Sequence, residues 1–216
     1  MRIVILGPPG SGKGTRAQII SKIYGIPVIT TGDMLREAAA QDTESGRIAD
    51  FYMKKGELVP DDIVVEVVEE RLGRPDVEGG FILDGFPRNL AQARALDRIL
   101  KKKGVSIDAV LKIDASTDSI IKRLSLRRSC PRCGAVYHLK YNPPRKDEVC
   151  DECGSGLIQR DDDKEDIILY RMIVYEEQTR PILERYEDMG KVRELNGEIE
   201  IDEIPREVRR VLGDLA

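Results

Sequence analysis

A short apolar run, Ile3-Val4-Ile5-Leu6, leads directly into Gly7-Pro8-Pro9-Gly10-Ser11-Gly12-Lys13-Gly14-Thr15, and this junction constrains the fold more than any other feature of the chain. The spacing G-x-x-x-x-G-K works only between a buried strand and a helix: the glycines let the backbone curl, and successive N–H groups then converge on phosphate oxygens at the helix N-terminus. Arg2 to Leu6 reads as that strand, and the stretch to about Tyr24 as that helix. Lys13 adds a point charge. The usual loop is altered at one place, since Gly14 stands where a hydroxyl normally meets Mg²⁺ and Thr15 comes one residue later. A Mg²⁺ ion then needs another ligand, and Asp84, closing the apolar run Phe81-Ile82-Leu83, is the candidate, acting through water.

Further strands are expected at Val28 to Thr30, Phe81 to Asp84, Asp108 to Ile113 and Lys191 to Leu195. Helices are expected from Asp33 onward to about Leu72, from Leu90 to Lys102, from Thr117 to Leu126 and from near Pro205. Asp33 suits the positive first turn of its helix. This alternation predicts an α/β fold in which a parallel β-sheet is covered by helices on both faces. A chain of 216 residues suits one sizeable domain with an insertion.

The rhythm breaks from about Arg128 to Asp163, where no helical period is sustained and Pro143-Pro144 interrupts. This reads as a small inserted domain. Its charge is sorted: residues 122 to 146 contain eight Lys/Arg and no Asp/Glu, while residues 147 to 166 contain nine Asp/Glu and only Arg160 and Lys164 as bases.

All 4 cysteines lie within it, as C-x2-C at Cys130 and Cys133, sixteen residues, then C-x2-C at Cys150 and Cys153. No secretory signal or membrane-length apolar run is evident, so the chain is expected in the cytoplasm, where such thiols bind metal rather than pair as disulfides. Four thiolates close a tetrahedral Zn²⁺ site with no open position, which makes the metal structural; Gly134 and Gly154 let the backbone turn toward sulfur. Iron in a rubredoxin-like site is the alternative. His138, the 1 histidine, reads as a packing residue beside these thiols. A net charge of −4 and a pI near 5.3 disfavour nucleic acid and membrane surfaces as partners. The basic half of the insertion still raises a zinc ribbon that binds nucleic acid; only Tyr137 and Tyr141 offer stacking aromatics there.

Three segments together resemble the core motifs of adenylate kinases: Gly7 to Thr15, then Thr30-Thr31-Gly32-Asp33-Met34-Leu35-Arg36, then Asp84-Gly85-Phe86-Pro87-Arg88 with Gln92. The resemblance covers nearly the whole chain, the long insertion included. It implies a P-loop nucleoside monophosphate kinase that moves a phosphoryl group reversibly from ATP to AMP, giving two ADP, with Mg²⁺ as cofactor, a structural Zn²⁺ in a lid that excludes water, a role in adenine nucleotide homeostasis and a monomeric state. By the resemblance, ATP meets Gly10, Ser11, Gly12, Lys13, Gly14, Thr15, Arg123 and Arg127, with Arg123 stacked on the adenine. AMP meets Thr31, Arg36, Gly85, Arg88 and Gln92, whose amide reads the adenine edge. Arg160 and Arg171 reach the phosphates between donor and acceptor, so Lys13, Arg88, Arg127, Arg160 and Arg171 form the catalytic set. Arg128 competes with Arg127 for its place, and the spacing of Arg127 to Arg123 predicts that both lie on one helical face. Pro60 replaces the small polar residue that many members carry near the AMP base, leaving backbone carbonyls to serve there.

The same likeness divides the chain into a core (1–29, 61–127 and 164–216), an AMP-binding region (30–60) and a zinc-bound lid (128–163). A GTP-dependent AMP kinase and a UMP or CMP kinase are the competing enzymatic readings.

Overall fold

A computed structural model describes residues 1–41 and 43–215; positions 42 and 216, within the expected AMP-binding region and core, lie outside the described residues. Strand β1 (Arg2–Leu6) occupies the middle of a sheet whose other members are β2 (Val28–Thr30), β3 (Phe81–Asp84), β4 (Ala109–Asp114) and β7 (Val192–Asn196). The order is β2-β3-β1-β4-β7, and every pairing is parallel. The expected parallel α/β sheet is therefore what the chain builds.

The period-two alternation of β1 explains why helices must cover both faces. Val4 and Leu6 enter one apolar cluster with Leu83, Val110, Leu96 and Phe86, while Ile3 and Ile5 enter another with Ile82, Leu111, Ile20 and Val208. Ile3, Val4, Ile5 and Leu6 are no more than 2% exposed. Burying a side chain of this kind contributes about 1.5–3 kcal/mol, so a charge on either face of β1 would disrupt one cluster or the other.

The first face is packed by α2 (Thr31–Ala40), α3 (Glu44–Lys55), α4 (Asp61–Arg71), α5 (Leu90–Lys102) and α8 (Pro181–Glu187); the second by α1 (Lys13–Tyr24) and α9 (Ile204–Leu212). Helix α5 starts where the Asn89 side chain accepts from the Gln92 N–H and buries Ala93, Leu96, Ile99 and Leu100 along one side. Helix α6 (Thr117–Ser125) follows β4, and α7 (Glu165–Val174) continues through a π-helical turn at Tyr175–Thr179 into α8.

Strand β1 is flanked by β3 on one side and β4 on the other, so the chain changes direction across the sheet at its carboxyl end. In open α/β sheets a crevice forms at such a point. Leu6 leads into the glycine-rich turn there, beside Thr30 and Asp84, which pair in register.

Between α6 and α7, β5 (Arg127–Ser129) pairs antiparallel with β6 (Val136–His138), and Ser129 also exchanges both backbone hydrogen bonds with Ile158. Among the described residues no α-helix interrupts this unit. One expectation fails here: Arg127 does not share a helical face with Arg123, because α6 ends at Ser125 and Arg127 opens a strand. Pairing with β6 overrides the helical spacing. Strands β4 and β7 each begin one residue later than expected; the Asp108 carboxylate is held outside the ladder by the Arg2 N–H at 2.6 Å.

Candidate active site

The crevice at the carboxyl ends of β1, β2 and β3 is a cavity of about 930 Å³. One wall is the glycine-rich turn. Gly12, the residue before α1, has φ 92°, and Gly10 has φ 75°, a region that side chains rarely adopt. Gly10, Gly12, Lys13, Gly14 and Thr15 line the cavity, whereas Ser11 is fully buried, its hydroxyl without a hydrogen-bond partner among the described residues. The Lys13 ammonium donates to the Gly7 and Pro8 carbonyls at 2.8 and 2.7 Å.

Asp84 meets this turn from below. It is 8% exposed, and a methyl group on Gly14 would stand 3.6 Å from its Oδ2. Burial raises its pKa, opposed by the charges of Lys13 and Arg88. A carboxylate at this depth beside a phosphate-shaped turn suits a water-mediated hold on Mg²⁺, which takes few protein ligands.

The opposite wall rises from β2 and the turn after β3. Gly85, at φ 85°, offers a carbonyl that accepts from the Thr31 hydroxyl and from Arg88 Nε, both at 2.8 Å, so one backbone oxygen orients two cavity residues. Gln92 is 1% exposed and still lines the cavity. Its Oε1 accepts from the Arg88 N–H and its Nε2 donates to Asp61 Oδ1, each at 2.8 Å. Glu57, Leu58 and Val59 also line this wall; Pro60 does not.

Arg36, Arg88, Arg123, Arg127, Arg160 and Arg171 all face the same cavity as Lys13. Arg128 instead folds back, donating to the Ser125 and Arg127 carbonyls. This crowding shows in the acid–base behaviour of the group. Burial, then the charges of Arg88, Arg171 and Arg127 against that of Asp84, brings Lys13 down to about 8. Burial and Arg171 bring Arg88 to about 10, and burial with Arg127 and Arg36 brings Arg160 to about 9. So many desolvated cations in one space favour a polyanion there, and a guanidinium fork matches phosphate oxygens two at a time.

Carboxylates hold the arginines in place, and sequence reading did not assign them that role. Arg127 makes a two-pronged pair with Asp163, Nε to Oδ2 at 2.8 Å and Nη2 to Oδ1 at 2.5 Å. Arg171 meets Asp162 at 2.9 Å, and Asp33 pairs with Arg36 at 2.5 Å and lies 3.8 Å from Arg160. The charge sorting of the insertion was the available signal for Asp163, whose partner Arg127 lies in the basic half; Asp162 meets Arg171, outside it.

The four cysteines form a second centre at the cavity's edge. Their sulfurs all lie within 4.8 Å of one another, with Cys130 to Cys153 at 3.4 Å and Cys133 to Cys150 at 3.5 Å. A tetrahedral zinc with bonds of about 2.3 Å spaces its sulfurs by about 3.8 Å, so this cluster fits one ion. Two matching backbone loops build it: Gly134 and Gly154 sit at φ 74° and 72°, their N–H groups donating to the Cys130 and Cys150 carbonyls at 3.0 and 2.9 Å. The Tyr137 hydroxyl lies 3.5 Å from Cys150 Sγ and accepts from the Asp151 N–H at 2.8 Å. His138 is no part of the cluster; its Nδ1 accepts from the Lys140 and Tyr141 N–H groups, and its ring packs on Tyr141 at 4.7 Å.

Comparison with known proteins agrees with this geometry. The family model described as "Adenylate kinase" matches residues 5–191. A protein named adenylate kinase from Archaeoglobus fulgidus is 51% identical over 212 residues, covering 98% of both chains. Proteins of the same name from Bacillus licheniformis (48% identical, 99% of this chain and 98% of that one) and Thermoanaerobacter sp. strain X514 (46%, 99% of both) are similar along their whole lengths.

Proposed function

The chain belongs to the adenylate kinase family and is a nucleoside monophosphate kinase, and from that premise we propose that it catalyses the reversible, Mg²⁺-dependent transfer of the terminal phosphoryl group of ATP to AMP, yielding two ADP. The observation that carries this reading is the convergence of Arg36, Arg88, Arg123, Arg127, Arg160, Arg171 and Lys13 on one cavity beside the buried Asp84. Phosphoryl transfer asks little covalent chemistry of a protein; positioning and neutralisation of charge supply the catalysis.

In this reading ATP lies along Gly10 to Thr15, with Lys13 on its phosphates and Arg123 and Arg127 over its base and tail. AMP lies against Thr31, Gly85 and Gln92, its phosphate between Arg36 and Arg88. Arg160 and Arg171, tied to Asp33 and Asp162, stand between the two nucleotides, where charge on the transferring group is greatest. Mg²⁺ held near Asp84 through water would neutralise donor phosphate oxygens. The chain divides into a core (1–29, 61–127 and 164–216), an AMP-binding segment (30–60) and a lid (128–163) that closes over ATP and keeps water from taking the phosphoryl group. One structural Zn²⁺ on Cys130, Cys133, Cys150 and Cys153 holds the lid's shape. The enzyme acts as a cytoplasmic monomer that balances the adenine nucleotide pool.

A coupled assay of ADP formation over a panel of mono- and triphosphates tests the reading. Preference for ATP with AMP supports it. Equal kcat/KM for AMP and UMP, or for GTP and ATP, would overturn the assigned acceptor or donor base.

A further inference from the structure

Asp61 opens helix α4, where a carboxylate interacts favourably with the positive end of the helix. Its Oδ1 does more than that. It accepts from Gln92 Nε2 and from Asn89 Nδ2, both at 2.8 Å, across 31 and 28 residues of sequence. Asn89 in turn caps helix α5 by accepting from the Gln92 N–H at 2.9 Å. The Gln92 amide is thus clasped at both ends, by Asp61 on nitrogen and by the Arg88 N–H on oxygen.

These two neighbours leave no ambiguity about which way the amide points. An ionised carboxylate only accepts and a backbone N–H only donates, so turning the amide over would set oxygen against oxygen and N–H against N–H. One N–H and one oxygen lone pair of Gln92 remain after the clasp is made. Their order is fixed.

The order matters because the six-membered edges of the bases differ in it. Adenine presents an exocyclic N–H donor beside a ring-nitrogen acceptor. Hypoxanthine, guanine and uracil present the reverse, an exocyclic oxygen acceptor beside a ring N–H donor. An amide free to turn over would serve both kinds equally; a clasped one leaves a buried donor facing a donor with the wrong base. Cytosine has adenine's order and differs in size, so the clasp says nothing about it.

We propose that Asp61 is a specificity-determining positioning residue, which fixes the donor–acceptor polarity of Gln92 and so selects adenine over 6-oxo bases in the acceptor site. This rests on the reading of Gln92 as the residue that meets the AMP base.

Asp61→Asn keeps size and one accepting oxygen but can also offer N–H, so it tolerates the turned amide and loses a charge-assisted clasp. Measured kcat/KM for AMP, IMP and CMP with saturating ATP should show the AMP-to-IMP ratio falling about tenfold in D61N, the size expected from loss of one hydrogen bond to a charged group. The AMP-to-CMP ratio should stay within about twofold, as should KM for ATP. A carboxylate that merely supports the helix would lower all acceptors together. An unchanged AMP-to-IMP ratio, or equal losses for AMP, IMP and CMP, overturns the role of Asp61; a wild-type enzyme that uses AMP and IMP equally overturns the reading of Gln92 instead. The wild-type protein gives a second test that needs no folded variant. In its NMR spectrum the Gln92 side-chain N–H₂ protons should exchange with solvent far more slowly than those of an exposed glutamine, and exchange at the exposed rate would refute the clasp.

Discussion

The phosphate-loop wall of the cavity and the four-cysteine unit above it are held in shape by different forces. Around β1 the geometry follows from burial: two apolar clusters, one on each face of the sheet, fix the strand whose end becomes the loop. The inserted unit has one small cluster, Cys130, Tyr137, Cys150 and Leu157, and leaves Val136, Leu139, Tyr141 and Ile158 exposed. So little core cannot hold a separate fold, and four thiols placed to hold one ion would take its place. The contrast teaches where damage should be felt: in chemistry but not stability on one side, in stability more than chemistry on the other.

Removing cavity charge should give the largest effect. Lys13→Ala and Arg88→Ala should each lower kcat by at least about a hundredfold, because each removes positive charge at the phosphates. Melting temperature and circular dichroism should hardly change, since neither side chain belongs to an apolar cluster. Retention of more than about a third of wild-type kcat would remove the residue from the reacting centre.

Stripping the metal should reverse that pattern. Zinc contributes about 10–16 kcal/mol of apparent free energy in isolated zinc fingers, and each kcal/mol lost shifts Tm by roughly 2–4 °C in a chain of this size. Exhaustive chelation, or Cys130→Ser with Cys153→Ser, should therefore lower Tm by calorimetry while AMP affinity, assigned above to Arg36 and Arg88, stays within about threefold. Elemental analysis should find one zinc per chain. A metal-free protein with unchanged Tm would break the comparison at its root.

A smaller effect should follow from pH. Burial chiefly brings Lys13 down to about 8, so its charge is present below pH 8 and lost above it. Dependence of kcat/KM for ATP on pH should bend near 8 and fall up to tenfold per unit beyond. At saturating ATP the phosphates favour the charged ammonium, and kcat should bend at higher pH. Coincident bends would detach Lys13 from ATP. The smallest effect is none: despite the basic half of the insertion, heparin or DNA columns should not retain the protein at moderate salt, because Asp163 already meets Arg127 and the net charge of −4 opposes a polyanion.

Legibility in the sequence followed the range of the interactions. β1, β3 and α5 could be placed to the residue because local signals mark them: unbroken apolar runs, glycines after them, and Asn89 before an amphipathic stretch. The cavity cations were legible as candidates because motifs carry them. Arg127 was placed on a helix because its spacing from Arg123 is compatible with one, whereas its strand depends on residues nine or more positions further on. Asp61 and Asp163 act through partners 31 and 36 residues away. No local pattern encodes such pairs, and only the folded chain brings them together.

The bridge between Ser129 and Ile158, with N–H to carbonyl distances of 2.8 and 2.9 Å, has an architectural consequence. The inserted unit leaves and rejoins the main chain at adjacent points, so it behaves as a cassette. A turn of a few residues between the two ends would restore continuity without moving α6 or α7, because closing so short a gap costs little chain entropy. Shorter, longer or differently stapled cassettes can thus be exchanged at this junction while the scaffold beneath keeps its register, and new lids can arise without redesign of the sheet.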